Sequence, residues 1–131
     1  TRRCKLRGIA RGPRTAVYRL LREPSFEIAP GQEQDVHALS ARLHPGTQIF
    51  IANIAGKALD ALSGTLEQLA PTGYELVPHI AARNLKSKQT FFDFTGLLSR
   101  LNVQTVFLVG GGASQPMGPY NDAEELLRDV G

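Results

Sequence analysis

The chain has 131 residues, 42% of them hydrophobic, with a formal net charge of +3. That suffices for one compact domain with its own core and falls short of a complete eight-stranded βα barrel, which takes about 250 residues. No run of roughly 18 apolar residues is present, which excludes a membrane-spanning helix, and the single cysteine, Cys4, excludes an internal disulfide or a thiolate zinc cluster and fits a reducing compartment.

The charge is unevenly placed. Residues 1–22 contain Arg2, Arg3, Lys5, Arg7, Arg11, Arg14, Arg19 and Arg22 and no acid, so the remainder has seven basic residues against twelve acidic ones, a net of −5. The basic character belongs to this leader, and neither a nucleic-acid nor a membrane partner is expected of the folded part. The leader itself admits three readings: an organellar targeting segment, a basic arm touching phosphates, or an extension followed by a short helix over Thr15–Arg22 stopped at Pro24. Residues 1–23 are therefore set apart as a basic extension, and 24–131 as the domain.

From Pro24 the pattern alternates strand and helix. Ser25–Ala29 reads as a first strand, short and apolar and fenced by prolines, and Pro30-Gly31 as a turn. Glu33–Leu43 has Val36, Leu39 and Leu43 at helical spacing. Gln48–Ile54 is the second strand, and Lys57–Leu69 a helix with Leu59, Leu62, Leu66 and Leu69 on one face. Tyr74–His79 is the third strand, Ala81–Lys88 a polar loop, and Gln89–Leu101 a helix that Asn102 caps. Gln104–Val109 is a fourth strand, apolar enough to be buried on both faces. Gly110-Gly111-Gly112 ends it, and Asp122–Val130 is the last helix. Four strand–helix units in strict alternation predict an α/β protein with a parallel sheet and right-handed crossovers: either a four-unit open sheet or half of a (βα)8 TIM barrel.

In such sheets ligands bind at the carboxyl ends of the strands. Those ends carry Glu27, Asn53, His79 and the triple glycine. A carboxylate inside an apolar strand loses hydration unless it is paired, protonated or used. Glu27 is thus either an ordering partner for an arginine or a general acid whose pKa is raised by its surroundings. His79, fixed by Pro78, is either a satisfied rim histidine or a donor to a cofactor. Metal ligation is not expected, because His37 and His44 fall on a surface helix. The glycines are either a permissive turn or an anion-binding nest, with Arg83, Lys86 and Lys88 adding positive charge beside them. They match neither the dinucleotide fingerprint nor a P-loop.

Several segments resemble the methylenetetrahydrofolate reductase family, flavin-dependent (βα)8 barrels. Ser25-Phe26-Glu27 followed by Pro30 is similar to that family's Ser-Phe-Glu-Phe-Phe-Pro first strand. Pro78-His79-Ile80 is similar to its Pro-His-Leu third strand. Phe107-Leu108-Val109-Gly110-Gly111 lies where it has Ala-Leu-Arg-Gly-Asp, and Pro119-Tyr120 before Glu124-Glu125-Leu126-Leu127 resembles its Tyr-Ala-Ser-Asp-Leu region. The similarity runs from Ser25 to the end and spans the first half of the barrel.

The resemblance implies FAD as cofactor, NAD(P)H as hydride source and 5,10-methylenetetrahydrofolate as substrate, reduced to 5-methyltetrahydrofolate in one-carbon metabolism. It implies that Glu27 is the proton donor and that His79, Val109, Gly110, Gly111 and Tyr120 contact FAD. It also implies a cytoplasmic protein completed by a homo-oligomer or a second half-barrel. Two positions depart from the family: its Arg-Gly-Asp is Val109-Gly110-Gly111 here, and a threonine at the end of its second strand aligns near Ala52. A non-catalytic flavin- or pterin-binding paralogue, and an unrelated α/β domain with an anion site at the glycines, are the alternative readings.

Overall fold

The computed structural model describes residues 13–131. The basic leader up to residue 12, with Cys4, lies outside them. Helix α1 (Pro13–Leu20) precedes four strand–helix units: β1 (Phe26–Ile28), α2 (Glu33–Leu39), β2 (Gln48–Ile51), α3 (Asp60–Leu69), β3 (Glu75–Ala81), α4 (Lys88–Arg100), β4 (Phe107–Val109) and α5 (Ala123–Val130). Short 3-10 turns at Ala70–Thr72 and Ala82–Asn84 flank β3. The strands form one parallel sheet in the order β1-β2-β3-β4, an α/β arrangement with the form of half a βα barrel.

Register decides which side chains share a face. Phe26, Ile49 and Leu76 are aligned across the sheet, as are Glu27, Phe50 and Val77, and His79 is aligned with Phe107. Successive residues of a strand point to opposite faces. Ile28, Ile49, Ile51, Leu76 and Ile80 therefore look one way, into a core completed by Val36, Leu62, Leu66, Leu69, Phe94, Leu97, Leu98 and Leu126 from the helices. Glu27, Phe50, Val77, His79 and Phe107 look the other way, where none of the described helices contributes to a core over them.

This one-sided cover corrects an expectation. The fourth strand is three residues long, and Phe107 is 48% exposed rather than buried on both faces. Its apolar sequence fits a covered strand, but it is an edge strand with one open face. The helix expected to reach Leu43 ends at Leu39, and the one expected from Lys57 begins at Asp60 behind the turn at Gly56 (φ 73°). The third strand runs on to Ala81, which removes the first residue of the expected loop. Asn102 does close α4: its φ is 57°, Val103 N–H donates to Leu98 O at 2.9 Å and its own N–H to Ser99 O at 3.1 Å, a Schellman arrangement.

A buried polar clasp joins the first turn to α3. The Thr65 hydroxyl donates to the Glu33 carboxylate, and Gly31 N–H reaches both, at 3.0 Å to Thr65 Oγ1 and 3.2 Å to Glu33 Oε1. Both side chains are buried. The Thr65 hydrogen bond holds the Glu33 carboxyl below its ordinary value of 4.5, against the opposing effect of desolvation. A carboxyl lowered on folding stabilises the fold above its unfolded value, and that stability is lost as pH falls through the lowered folded value. Thr65→Val is expected to cost about 1–3 kcal/mol at neutral pH. In urea titrations the gap from the parent should shrink below the ordinary carboxyl range; an unchanged gap there would show that the cost is steric.

Candidate functional site

Glu27 is the middle residue of β1, and alternation places it on the uncovered face. Its side chain is 62% exposed, so the burial expected from its apolar neighbours is not found: those neighbours, Phe26 and Ile28, point to the helices, and the strand is an edge. His79 lies two strands away on the same face with its side chain 15% exposed, and its Nε2 comes to 3.9 Å from Glu27 Oε2. The separation is beyond a hydrogen bond, but it brings an acid and an imidazole to one point.

The floor between them is aromatic. Phe50 meets the His79 ring edge-on at 5.9 Å between centroids, and Phe107 meets it tilted at 5.0 Å; the two phenylalanines are 6.2 Å apart. His79 is thus held between two rings, with its Nε2 edge toward Glu27. Neither phenylalanine was expected at the site. The signal for them is their register, Phe50 beside Glu27 and Phe107 beside His79, which a single sequence does not reveal.

Val109 ends β4 beside Ala81, and the glycines that follow are shaped by packing. Gly110 O accepts from Arg83 N–H at 3.0 Å. Gly111 has φ 102°, and a Cβ there would sit 3.1 Å from Ala81 Cβ and 3.5 Å from Arg83 Cβ. Arg83 reaches over the loop, donating from its two terminal nitrogens to Ser114 O at 3.1 Å and Asn121 O at 3.3 Å, while Met117 N–H donates to Arg83 O at 2.7 Å. The guanidinium expected to add charge for a phosphate therefore clamps the loop. Lys88 is likewise engaged, donating to Asp129 O at 2.8 Å and pairing with its carboxylate at 3.4 Å. Lys86 remains as an exposed ammonium of this loop.

Tyr120 is placed in the core rather than on the uncovered face. It is 4% exposed, and its hydroxyl donates to Asp129 Oδ2 at 2.5 Å. Burial first, then the Asp129 carboxylate, pushes its pKa up to about 12. Its hydroxyl is thus occupied by α5. Asn53 is also structural: its Oδ1 accepts from Ala81 N–H at 3.0 Å and its Nδ2 donates to Lys57 O at 3.3 Å. Asn84, fully buried, was not singled out in the sequence. It accepts from Gly56 N–H at 3.1 Å and donates to Ile54 O at 2.8 Å, tying the loop after β2 to the turn after β3.

The structure therefore brings Glu27 and His79 together on an aromatic floor, sets Val109 and the glycines at the same end of the sheet, and draws Tyr120 away. Among the described residues no group of three or more His, Cys, Asp or Glu side chains is arranged to hold a metal ion, and no helix is long and apolar enough to cross a membrane. No protein-family model matches the chain.

Two glycines separate packing from helix entropy. A Cβ on Gly118 would run into the carbonyl oxygens of Leu85 and Lys86, closer than real side chains approach, whereas one on Gly64 within α3 would meet nothing within 4 Å. Gly118→Ala is expected to lower stability by about 1–3 kcal/mol through loop displacement. Gly64→Ala should raise it by about 0.5–1 kcal/mol. Thermal or urea unfolding of the two variants checks both signs.

Proposed function

We propose that the chain is the (βα)4 portion of a methylenetetrahydrofolate reductase-like flavoprotein, with Glu27 as the acid that protonates the folate. The observation that carries the reading is the meeting of Glu27 and His79 at 3.9 Å on the uncovered face, the two residues that the resemblance marks as proton donor and flavin contact. Glu27 is reachable by a ligand, and a positioned carboxylic acid contributes about 10²–10⁴-fold to a proton-transfer step. Its proton goes to the arylamine nitrogen as that nitrogen's bond to the methylene carbon breaks, leaving the carbon on the pterin nitrogen. The bridge opens to an iminium carbon, and hydride added to that carbon gives the 5-methyl product.

FAD would supply that hydride, drawn from NAD(P)H. The residues present fit its ring better than its phosphates. Phe50, His79 and Phe107 form a largely apolar floor of mutually inclined rings, and the exposed Gly111 and Gly112 leave the strand end free of side chains. Arg83 and Lys88, in contrast, already hold other groups. His79 would orient the ring, and Val109 and Gly110 would line it. Tyr120, with its hydroxyl on Asp129, would act through the loop it anchors. The protein is read as cytoplasmic, with folate and NAD(P)H as its small-molecule partners.

A second reading, a flavin- or pterin-binding paralogue without turnover, is favoured by Gly111. The family's aspartate stands at this position, and here the backbone has a positive φ that strains any side chain, with a Cβ pressed to 3.1 Å from Ala81 Cβ.

The test is reconstitution of the purified chain with FAD. A yellow complex that oxidises NAD(P)H with methylenetetrahydrofolate supports the first reading. Glu27→Gln should keep the flavin and lose at least about 100-fold in folate reduction, and undiminished turnover would sink the assignment. Bound flavin with no turnover in the parent chain selects the second reading, and no flavin binding overturns both.

A further inference from the structure

Helix α1 has no buried residue. Val17, Leu20 and Leu21 are 53%, 78% and 67% exposed, and Leu21 N–H donates to Val17 O at 3.0 Å, carrying the helical bonding one residue past Leu20. At 3.6 residues per turn, Pro13, Ala16, Val17, Leu20 and Leu21 fall within an arc of roughly 140°. Arg14, Tyr18, Arg22, Thr15 and Arg19 fill the rest of the circle, with Arg14 bordering one edge of the apolar arc. The helix is sorted into an apolar and a basic side, as a helix would be to bury one face, yet the apolar side faces solvent.

We propose that α1 docks flat on an anionic lipid surface, its apolar side in the interface and its arginines among the headgroup phosphates. Charge identifies the occupant. The first 22 residues carry eight basic side chains and no acid, and each Lys or Arg near an anionic leaflet contributes about 1 kcal/mol. A nucleic acid would match that charge but has no use for an apolar arc of this width. A lipid interface uses both sides at once, and Tyr18, 68% exposed, has the amphipathic ring that settles at headgroup depth.

Position supports the same occupant. The cleft beside α1 is lined by Arg14, Val17, Tyr18, Leu21, Arg22 and His44, and His44 lies in the connection that enters β2. The helix therefore sits at the amino end of the sheet, while the triple glycine and the loop it opens lie at the carboxyl end. Docking through α1 leaves the rim facing solvent. The inference stands independently of the chemistry at that rim.

The experiment is flotation of the full chain with vesicles of phosphatidylcholine alone and of phosphatidylcholine mixed with phosphatidylglycerol. Binding is expected to the mixed vesicles only, and to fall with added salt as exposed charges are screened. The double variant Leu20→Glu with Leu21→Glu changes two exposed residues outside the core cluster, so its circular dichroism and melting should match the parent. It should lose at least about tenfold in vesicle affinity. Arg14→Glu with Arg19→Glu should lose binding as well. No flotation with the anionic vesicles overturns the proposal. So does flotation undiminished in the leucine variant, or tighter binding to a short DNA duplex that the leucine variant retains, since either would assign the leader to phosphates alone.

Discussion

A parallel sheet covered by helices on one side only is the constraint on which the rest of this molecule depends. All-parallel sheets ordinarily have both faces covered, because each crossover lays a helix on the sheet. Here every crossover from β1 to β4 runs on the same side, so the core forms between that face and α2–α5, as in a barrel wall. The opposite face is consequently where, among the described residues, strand side chains stay open to a ligand. Glu27, Phe50, His79 and Phe107 reach it by alternation alone, and this is why an acid, an imidazole and two aromatic rings converge without any loop to gather them.

The same constraint explains why the carboxyl end of the sheet is heavily tied. Two strand-end asparagines in the ordinary sense of rim residues turn out to bond backbone: Asn53 links β2 to β3, and Asn84 closes the loop behind β2 onto the turn after β3. Arg83 then fastens the long loop after β4 through Ser114, Met117 and Asn121, and Tyr120 fastens that loop to α5 through Asp129. A buried polar group left unpaired costs about 1–3 kcal/mol. These bonds hold the loop in one place over the strand ends, and Asn53, Arg83 and Tyr120 among them are side chains whose charge or polarity suggested ligand contacts.

The alternation of elements was legible because each helix and strand has its own hydrophobic period and most junctions have a glycine or proline, the connections on either side of α4 excepted. Leu59, Leu62, Leu66 and Leu69 predict α3's buried face, and three of them come from the helix itself, with Leu59 at its cap. Placement on strands was legible for Glu27 and His79 for the same reason, although both lie within their strands rather than at the last residue. Exposure was not. The string Phe26-Glu27-Ile28 reads alike whether its glutamate faces a core or solvent, and Phe107-Leu108-Val109 reads as a covered strand; both depend on what lies across the open face. Nor could the sequence distinguish an arginine that binds phosphate from one that binds carbonyls, since Arg83 meets Ser114 and Asn121 only after the loop has folded back.

Gly111 is the position where sequence and structure bear most directly on each other. By resemblance alone, the glycine is one missing carboxylate, a loss that a single substitution would restore. The conformation argues otherwise. A φ of 102° is strained for any side chain, and the nearest neighbours, Ala81 and Arg83, belong to the strand end and to the clamp over the loop. An aspartate there would have to move the backbone, and moving it would disturb the Gly110–Arg83 bond and the loop that Arg83 holds. The glycine and the arginine clamp are therefore one arrangement. A site lacking that carboxylate must rely on what the open face supplies, an exposed acid at Glu27 and an imidazole held between Phe50 and Phe107.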